Sequence, residues 1–380
     1  MNSTTLKKLC EEASERIREN RQLFNQLPPV FVYGTGLFAQ DIQEMLLDKG
    51  FSIIGFIDHR QTEKSHLNGL PVYRPEQAAT LKYSERTVVV LGIHNCQANI
   101  SDVNAKLKAS GFHRVITPLD LYDLFGAELG IRYWLVNREY YFSRLEYLQA
   151  AFDLLSDLTS RSLFKSVTEF RLIGDASRLP EPDLVNQYHP YDLFDWRRPL
   201  RFVDCGAYNG DTLADFIGNG ITIRSVAAFE PDLANYAKLA TFVLENRDVL
   251  PEAVLFPCGL YSSSRQLSFQ AGQGAASNIS NSGTTVVQCV ALDDAIPTFA
   301  PDYIKMDIEG AEYAALQGAR RLISGHTPLL AISLYHRPEH LWQLPLLVES
   351  LAPARYNFHM RLHTRNDFDL VLYAIPKEIA

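Results

Sequence analysis

Apolar and polar positions follow two rhythms along this chain. Before residue 28 the spacing of Leu6, Cys10, Ala13 and Ile17 is helical, with charges of both signs between them and Pro28 and Pro29 as the stop. The rhythm then changes. "VFVYGTG" reads as a buried strand entering a glycine turn, "FAQDIQEMLLDKG" as a helix closed by Gly50, and "SIIGFID" as a second strand ending in Asp58. "TVVVLGI", the helical "ANISDVNAKLKASG" and the short "RVITP" continue the alternation, which predicts a parallel sheet with helices on both faces over residues 28–120.

Residues 121–198 break that alternation. "YWLVNREYYFSRLEYLQAAFDLLSDLTSRSLFKSV" is aromatic and helical, a connector whose rings suit a core or a homodimer seam, and "YHPYDLFDWRRP" is an aromatic loop long enough to close over a pocket. A second alternating region fills 199–380. Its strands are "RFVDCG", "SVAAFEP", "AVLFPCGLY", "RQLSF", "TTVVQCVALDD", "DYIKMDIEG", "PLLAISLYH", "YNFHMRLH" and "DLVLYAIP". The last two are separated by turns alone, which predicts an antiparallel edge on a mostly parallel sheet. The fold class is therefore α/β, with two doubly wound Rossmann-like domains.

Composition narrows the partners. A chain of 380 residues has room for two domains, and 47% hydrophobic with 21% charged residues is ordinary for folded protein. A net charge of −8 argues against nucleic acid and anionic membrane as partners and favours small molecules. The five cysteines lack metal or redox spacing, no apolar run reaches a membrane span, and the charged N-terminus is unlike a secretory leader. The expectation is a cytoplasmic protein with no metal.

The chemistry gathers at strand ends. In "FVDCGAYNGD" Asp204 precedes Gly206 and Gly210, with Ala207 between the glycines and Asp211 after them, and no Gly-Lys-Ser/Thr follows for a triphosphate. A turn with a carboxylate on its rim suits a nucleoside ligand that carries positive charge. Glu230, followed by Pro231, ends the next strand 26 residues on, where a carboxylate can accept both hydroxyls of a ribose. Cys258 and Gly259 stand at a third strand tip, on the side of a base. Asp307 and Glu309 end "YIKMDI" two residues apart, facing one way, and Tyr335, His336 and Arg337 end the strand after it. Asp307 and Glu309, with Asp293 or Asp294, could hold magnesium, although no spacing requires it.

These blocks carry a family resemblance. From about Pro199 to Pro376, "FVDCGAYNGDT", "FEPD", "LDD", "YIKMDIEGAEYAALQGA" and "LYHRPEHLW" resemble, in order and spacing, the FkbM-type S-adenosylmethionine-dependent methyltransferases. The resemblance implies a seven-stranded sheet, S-adenosylmethionine as cofactor, and O-methylation of a sugar, polyketide or similar small acceptor. It also implies that Asp204, Gly206 and Gly210 form the cofactor turn, that Glu230 binds the ribose, that Ser277 and Asn278 belong to a polar loop at the site, and that Asp307 lies beside the transferred methyl. Removal of the hydroxyl proton falls to His336, whose ordinary pKa is near neutrality, or to Asp307 as base or as orienter of His336.

The first domain has its own motif. Gly34, Gly36 and Ala39 fit G-x-G-x-x-A, and Asp58 follows Gly36 by 22 residues at a strand end. With "GFIDHR", "LNGLPVYRPEQ" and "GFHRVITP", this half is similar to Rossmann-like modules that precede some sugar acyltransferases and bind nucleotide-sugars. It would hold a nucleotide-linked or carbohydrate acceptor, or no ligand. Two rival functions stand beside methyl transfer: a non-catalytic nucleotide-sugar-binding protein, and an NAD-dependent enzyme working from the first domain.

Overall fold

The computed structural model describes residues 3–60, 66–81, 86–270, 278–279 and 285–378. The chain forms two compact units. The first contains residues 1–149, 162–182 and 364–368, and the second 150–161, 183–363 and 369–380. Ser277 lies outside the described residues.

The first unit is built on six strands: β1 (Val30–Tyr33), β2 (Ile53–Ile57), β3 (His66–Leu67), β4 (Leu70–Tyr73), β5 (Val88–Leu91) and β6 (Val115–Ile116), in the order β3-β4-β2-β1-β5-β6. Every residue of β1 and β5 is buried, as central strands covered on both faces require. Helix starts are set locally. Asn99 accepts from Asp102 N at 3.1 Å to cap the helix Ile100–Ala109, and Thr117 with Asp120 forms a capping box before Pro118–Leu129. The N-terminal helix Ser3–Phe24 buries Leu6, Leu9, Ala13 and Ile17, with Cys10 at the margin of that face. Trp134 and Tyr141 of the aromatic segment are buried in core.

The second unit carries β7 (Leu200–Cys205), β8 (Ile223–Phe229), β9 (Ala253–Phe256), β10 (Gly259–Leu260), β11 (Arg265–Gln270), β12 (Asn278–Ile279), β13 (Thr285–Val290), β14 (Tyr303–Met306), β15 (Leu329–Ser333), β16 (Tyr356–Leu362) and β17 (Leu370–Pro376). Seven of them make one sheet in the order β16-β17-β15-β14-β7-β8-β9. β17 runs antiparallel between β15 and β16, and the other pairs are parallel. Tyr356, Phe358, Met360 and Leu362 of β16 are buried while the residues between them are half-buried, the alternation of an edge strand with one covered face.

One assignment differs from the sequence reading. "RQLSF" and "TTVVQCV" leave the main sheet and form a separate four-stranded one, β10-β13-β11-β12. In β13 Val287 and Cys289 are buried and Thr285, Val286 and Gln288 exposed, so this strand covers one face only and cannot occupy the interior of a doubly wound sheet. Under the main sheet, Trp196, Phe202, Phe216 and Tyr303 pack ring on ring. That core fixes the strand tips on which the polar residues sit.

Candidate functional site

The turn after β7 is shaped by close approach. Gly206 has φ +84°, and a Cβ there would stand 2.0 Å from the carbonyl oxygen of Asp307. No other residue type fits. Gly210, at φ +91°, opens the helix Asp211–Gly218, and a Cβ on it would meet the Phe242 ring at 2.9 Å. Backbone N–H groups of Gly206 and Ala207 both donate to Phe229 O at 3.0 Å, which ties the turn to β8. Asp204 is fully buried beneath it, with Lys305 Nζ 3.1 Å from its Oδ1, and the same ammonium donates to Gly206 O at 2.6 Å. Burial pushes the Asp204 carboxyl up to about 6 against the opposing pull of Lys305.

Glu230 ends β8 with both oxygens facing backbone donors. Tyr208 N donates to Oε2 at 2.9 Å and Asp232 N to Oε1 at 2.8 Å. Each carboxylate oxygen has a second lone pair, so the group can still accept from a ligand. Burial raises its pKa to about 7, although the two backbone donors oppose the rise.

At the tip of β14 several carboxylates converge. Asp307 receives the Tyr188 hydroxyl on Oδ2 at 2.9 Å and the Tyr335 hydroxyl on Oδ1 at 3.4 Å. Glu309 reaches the same space from a turn rather than from strand alternation, in a left-handed conformation at φ +53°. Behind them Glu312 is wholly buried and accepts from Ile308 N at 3.0 Å. Its Oε1 lies 2.7 Å from His336 Nδ1, and His336 Nε2 lies 3.3 Å from Asp307 Oδ1 and 3.5 Å from Glu309 Oε2. Burial alone would discharge the imidazole. The three carboxylates outweigh it and raise its pKa to about 10, and the imidazolium in turn holds Glu312 below the usual carboxylate range despite burial. Burial, with Asp307 and Glu312 as neighbours, lifts Glu309 to about 7 against the pull of His336.

These tips enclose a cavity of about 260 Å³. Of the residues expected at a cofactor site, Gly206, Asp211, Glu230, Pro231, Cys258, Gly259 and Asp307 line it. Asp204, Ala207 and Gly210 do not. They lie under the turn and hold its shape. His336 is also behind the wall, touching Asp307 and Glu309 rather than the space itself. Asp293 and Asp294 are engaged elsewhere, by Arg321 and Leu322 N. Tyr188, Tyr208 and Lys305 line the cavity and were not singled out by sequence. A lysine inside the apolar run "YIKMDI" is the one visible signal for Lys305.

In the first unit Gly34, at φ +103°, would place a Cβ 3.2 Å from Gly92 O, whereas Gly36 has open space around it. Asp58 is buried, accepting from Thr35 Oγ1 at 2.7 Å and from Arg60 N at 2.9 Å. The three expected residues thus share one set of strand tips, with Asp58 bonded to its own chain. His94, at the tip of β5, is buried among the rings of Phe38, Tyr133, Trp134 and Phe368. Among the described residues, no helix is long and apolar enough to cross a membrane.

Comparison with known proteins agrees with this architecture. A crystal structure of the methyltransferase FkbM from Methylobacillus flagellatus KT superposes with a TM-score of 0.80 at 23% identity, covering 97% of this chain and 98% of that one. A putative rRNA methylase from Clostridium thermocellum covers 52% of this chain and 97% of its own at 12% identity, with a TM-score of 0.34. No curated protein matches this chain in sequence. Residues 29–101 match the model of the PglD N-terminal domain, and residues 204–368 that of the methyltransferase FkbM domain. The second unit, with its seven-stranded sheet and its cavity at the tips of β7, β8 and β14, is therefore built around an FkbM methyltransferase domain, carried in one chain with a PglD-type N-terminal domain.

Proposed function

We propose that the second unit binds S-adenosylmethionine in its cavity and transfers the methyl group to a hydroxyl of a small, sugar-containing or secondary-metabolite acceptor. The observation that carries this reading is Glu230. It is a carboxylate at the tip of the strand next to the glycine turn, lining the cavity and keeping lone pairs for two ribose hydroxyls. Gly206 allows a ligand to approach the backbone, and Asp211, Asp307 and Glu309 supply negative charge around a sulfonium.

Methyl transfer to oxygen needs in-line alignment and a proton acceptor. The acceptor oxygen attacks the methyl carbon, the carbon–sulfur bond breaks with its electron pair going to sulfur, and the hydroxyl proton passes to the Asp307 carboxylate. Alignment is the larger contribution, worth ~7–11 kcal/mol, and a base adds about 10²–10⁴-fold. Asp307 faces the cavity with its oxygens held by Tyr188 and Tyr335, which suits both tasks. His336 acts through Asp307 and Glu309 as a positioning residue.

Isothermal titration with S-adenosylhomocysteine tests the cofactor reading. Saturable binding by the full chain that weakens roughly 10-fold or more in Glu230→Gln is expected, given ~1.5–3 kcal/mol for a hydrogen bond to a charged group. Absence of binding, or equal affinity in the variant, removes the ribose assignment.

A second reading concerns the first unit, where the PglD-type match favours a bound nucleotide-linked ligand at the tips of β1, β2 and β5. Titration with a uridine-diphosphate sugar distinguishes it, because such binding would be untouched by Glu230→Gln.

A further inference from the structure

We propose that Asp307, Glu309 and His336 form a binding site for one divalent first-row metal ion, with Glu312 holding the imidazole from behind. The distances carry the argument. Two donors ~2.1 Å from one ion stand about 3.0 Å apart at a right angle and about 3.4 Å apart at a tetrahedral angle. His336 Nε2 is 3.3 Å from Asp307 Oδ1 and 3.5 Å from Glu309 Oε2, the separation of neighbouring ligands around a shared cation. A ligand atom from each of Asp307, Glu312 and His336 also falls within 4.8 Å of the others.

The rear of the ring has the arrangement that metal-bound histidines use. A ligating imidazole is oriented when its other nitrogen donates to a carboxylate. Here His336 Nδ1 lies 2.7 Å from Glu312 Oε1, and Glu312 is itself fixed by Ile308 N at 3.0 Å. The pair directs Nε2 toward the two front carboxylates. Asp307 and Glu309 both line the cavity, so an ion held by them would keep its remaining coordination positions on the cavity side.

Charge points the same way. Asp307, Glu309 and Glu312 surround one imidazole, while the nearby Lys305 is engaged by Asp204 and Gly206 O. A dication would balance the surplus. One nitrogen with two carboxylate oxygens suits Mn²⁺, Fe²⁺ or Zn²⁺ better than an all-oxygen ion. Ligation uses the neutral ring, so binding releases a proton. The ion's task, to hold the acceptor oxygen beside Asp307, rests on the methyl-transfer reading; its binding does not.

The test is titration of the EDTA-treated full chain with MnCl₂, in parallel with S-adenosylhomocysteine. One saturable Mn²⁺ site per chain is expected, weakened at least 10-fold in both Asp307→Asn and Glu309→Gln. S-adenosylhomocysteine binding should persist in Glu309→Gln, which also reports that this variant folds. Pulsed EPR of Mn²⁺ on the unaltered chain should show nitrogen coupling from one imidazole, whatever the variants do. No saturable Mn²⁺ binding, equal affinity in both variants, or bound Mn²⁺ without nitrogen coupling would each overturn the proposal. Mn²⁺ binding without S-adenosylhomocysteine binding would instead sink the cofactor reading and leave the metal site standing.

Discussion

The Tyr188 hydroxyl donates to Asp307 Oδ2 at 2.9 Å, joining an aromatic loop to a strand tip 119 residues later in the chain. Tyr188 holds a left-handed backbone, φ +67°, which a non-glycine residue adopts at a cost. Its backbone explains how. Tyr188 O accepts from the Tyr303 hydroxyl at 2.7 Å, and Tyr188 N donates to the Tyr373 hydroxyl at 3.2 Å. The loop is pinned so that its phenol meets the carboxylate.

Removing that phenol should therefore act on chemistry more than on cofactor binding. In Tyr188→Phe the loss of a charge-assisted hydrogen bond is expected to lower stability by about 1.5–3 kcal/mol, read by urea denaturation. Affinity for S-adenosylhomocysteine should stay within about 3-fold by titration. A large loss of affinity with unchanged stability would mean that Tyr188 holds the ligand directly.

Gly206 offers a sharper case. Its Cβ position is 2.0 Å from Asp307 O, a backbone atom that cannot move without parting β7 from β14, and its φ is +84° besides. Gly206→Ala should abolish S-adenosylhomocysteine binding or soluble expression. Gly36→Ala, where nothing lies within 4 Å of the added carbon, should be nearly neutral in thermal denaturation. Equal behaviour of the two variants would contradict the packing at both turns.

The contrast also shows what was readable from the chain. Strand tips of a parallel sheet converge by topology, so Asp204, Glu230 and Asp307 could be placed together from apolar runs and spacing alone. Division of labour among them could not. Asp204 lies under the turn, paired with Lys305, because a carboxylate on the last residues of a fully covered strand must be buried with a partner. The bond from Tyr188 to Asp307 and that from His336 to Glu312 join distant segments, and no local period encodes such a pairing. β11 and β13 read as strands correctly, but which sheet they join depends on the one-sided burial that only packing reveals.

Glu230 predicts a pH dependence. Its pKa is raised by burial to about 7, and only the ionised form is a full acceptor for ribose hydroxyls. Affinity for S-adenosylhomocysteine should fall as pH is lowered from 8 to 6 and lose that slope in Glu230→Gln. The ligand-free chain should show the opposite sign in stability. Between the ordinary carboxyl value of 4.5 and about 7 the folded state binds more protons than the unfolded one, so this group's contribution declines as pH rises through that window. Calorimetric melting of both proteins at several pH values checks the two signs together.

In the first unit the sign is reversed at His94. Burial, aided by the nearby Arg132 charge, pushes the imidazole down from 6.5 to about 3, and the ring sits among Phe38, Tyr133, Trp134 and Phe368. Between those two values the unfolded chain binds a proton that the folded unit refuses, so stability falls as pH drops from 6.5 toward 3. Replacing the ring with an apolar side chain of lesser volume removes the titration while keeping most of the packing. In His94→Leu the first unit should lose less stability on acidification than the unaltered chain does, by of order a few kcal/mol across that window. Hydrogen exchange at the fully buried amides of β1 and β5, followed at pH 7 and pH 5, isolates this unit from the second. Parallel slopes in the two proteins would mean that His94 takes up its proton in the folded state, and the ring would then have to be repacked with a charge-bearing partner.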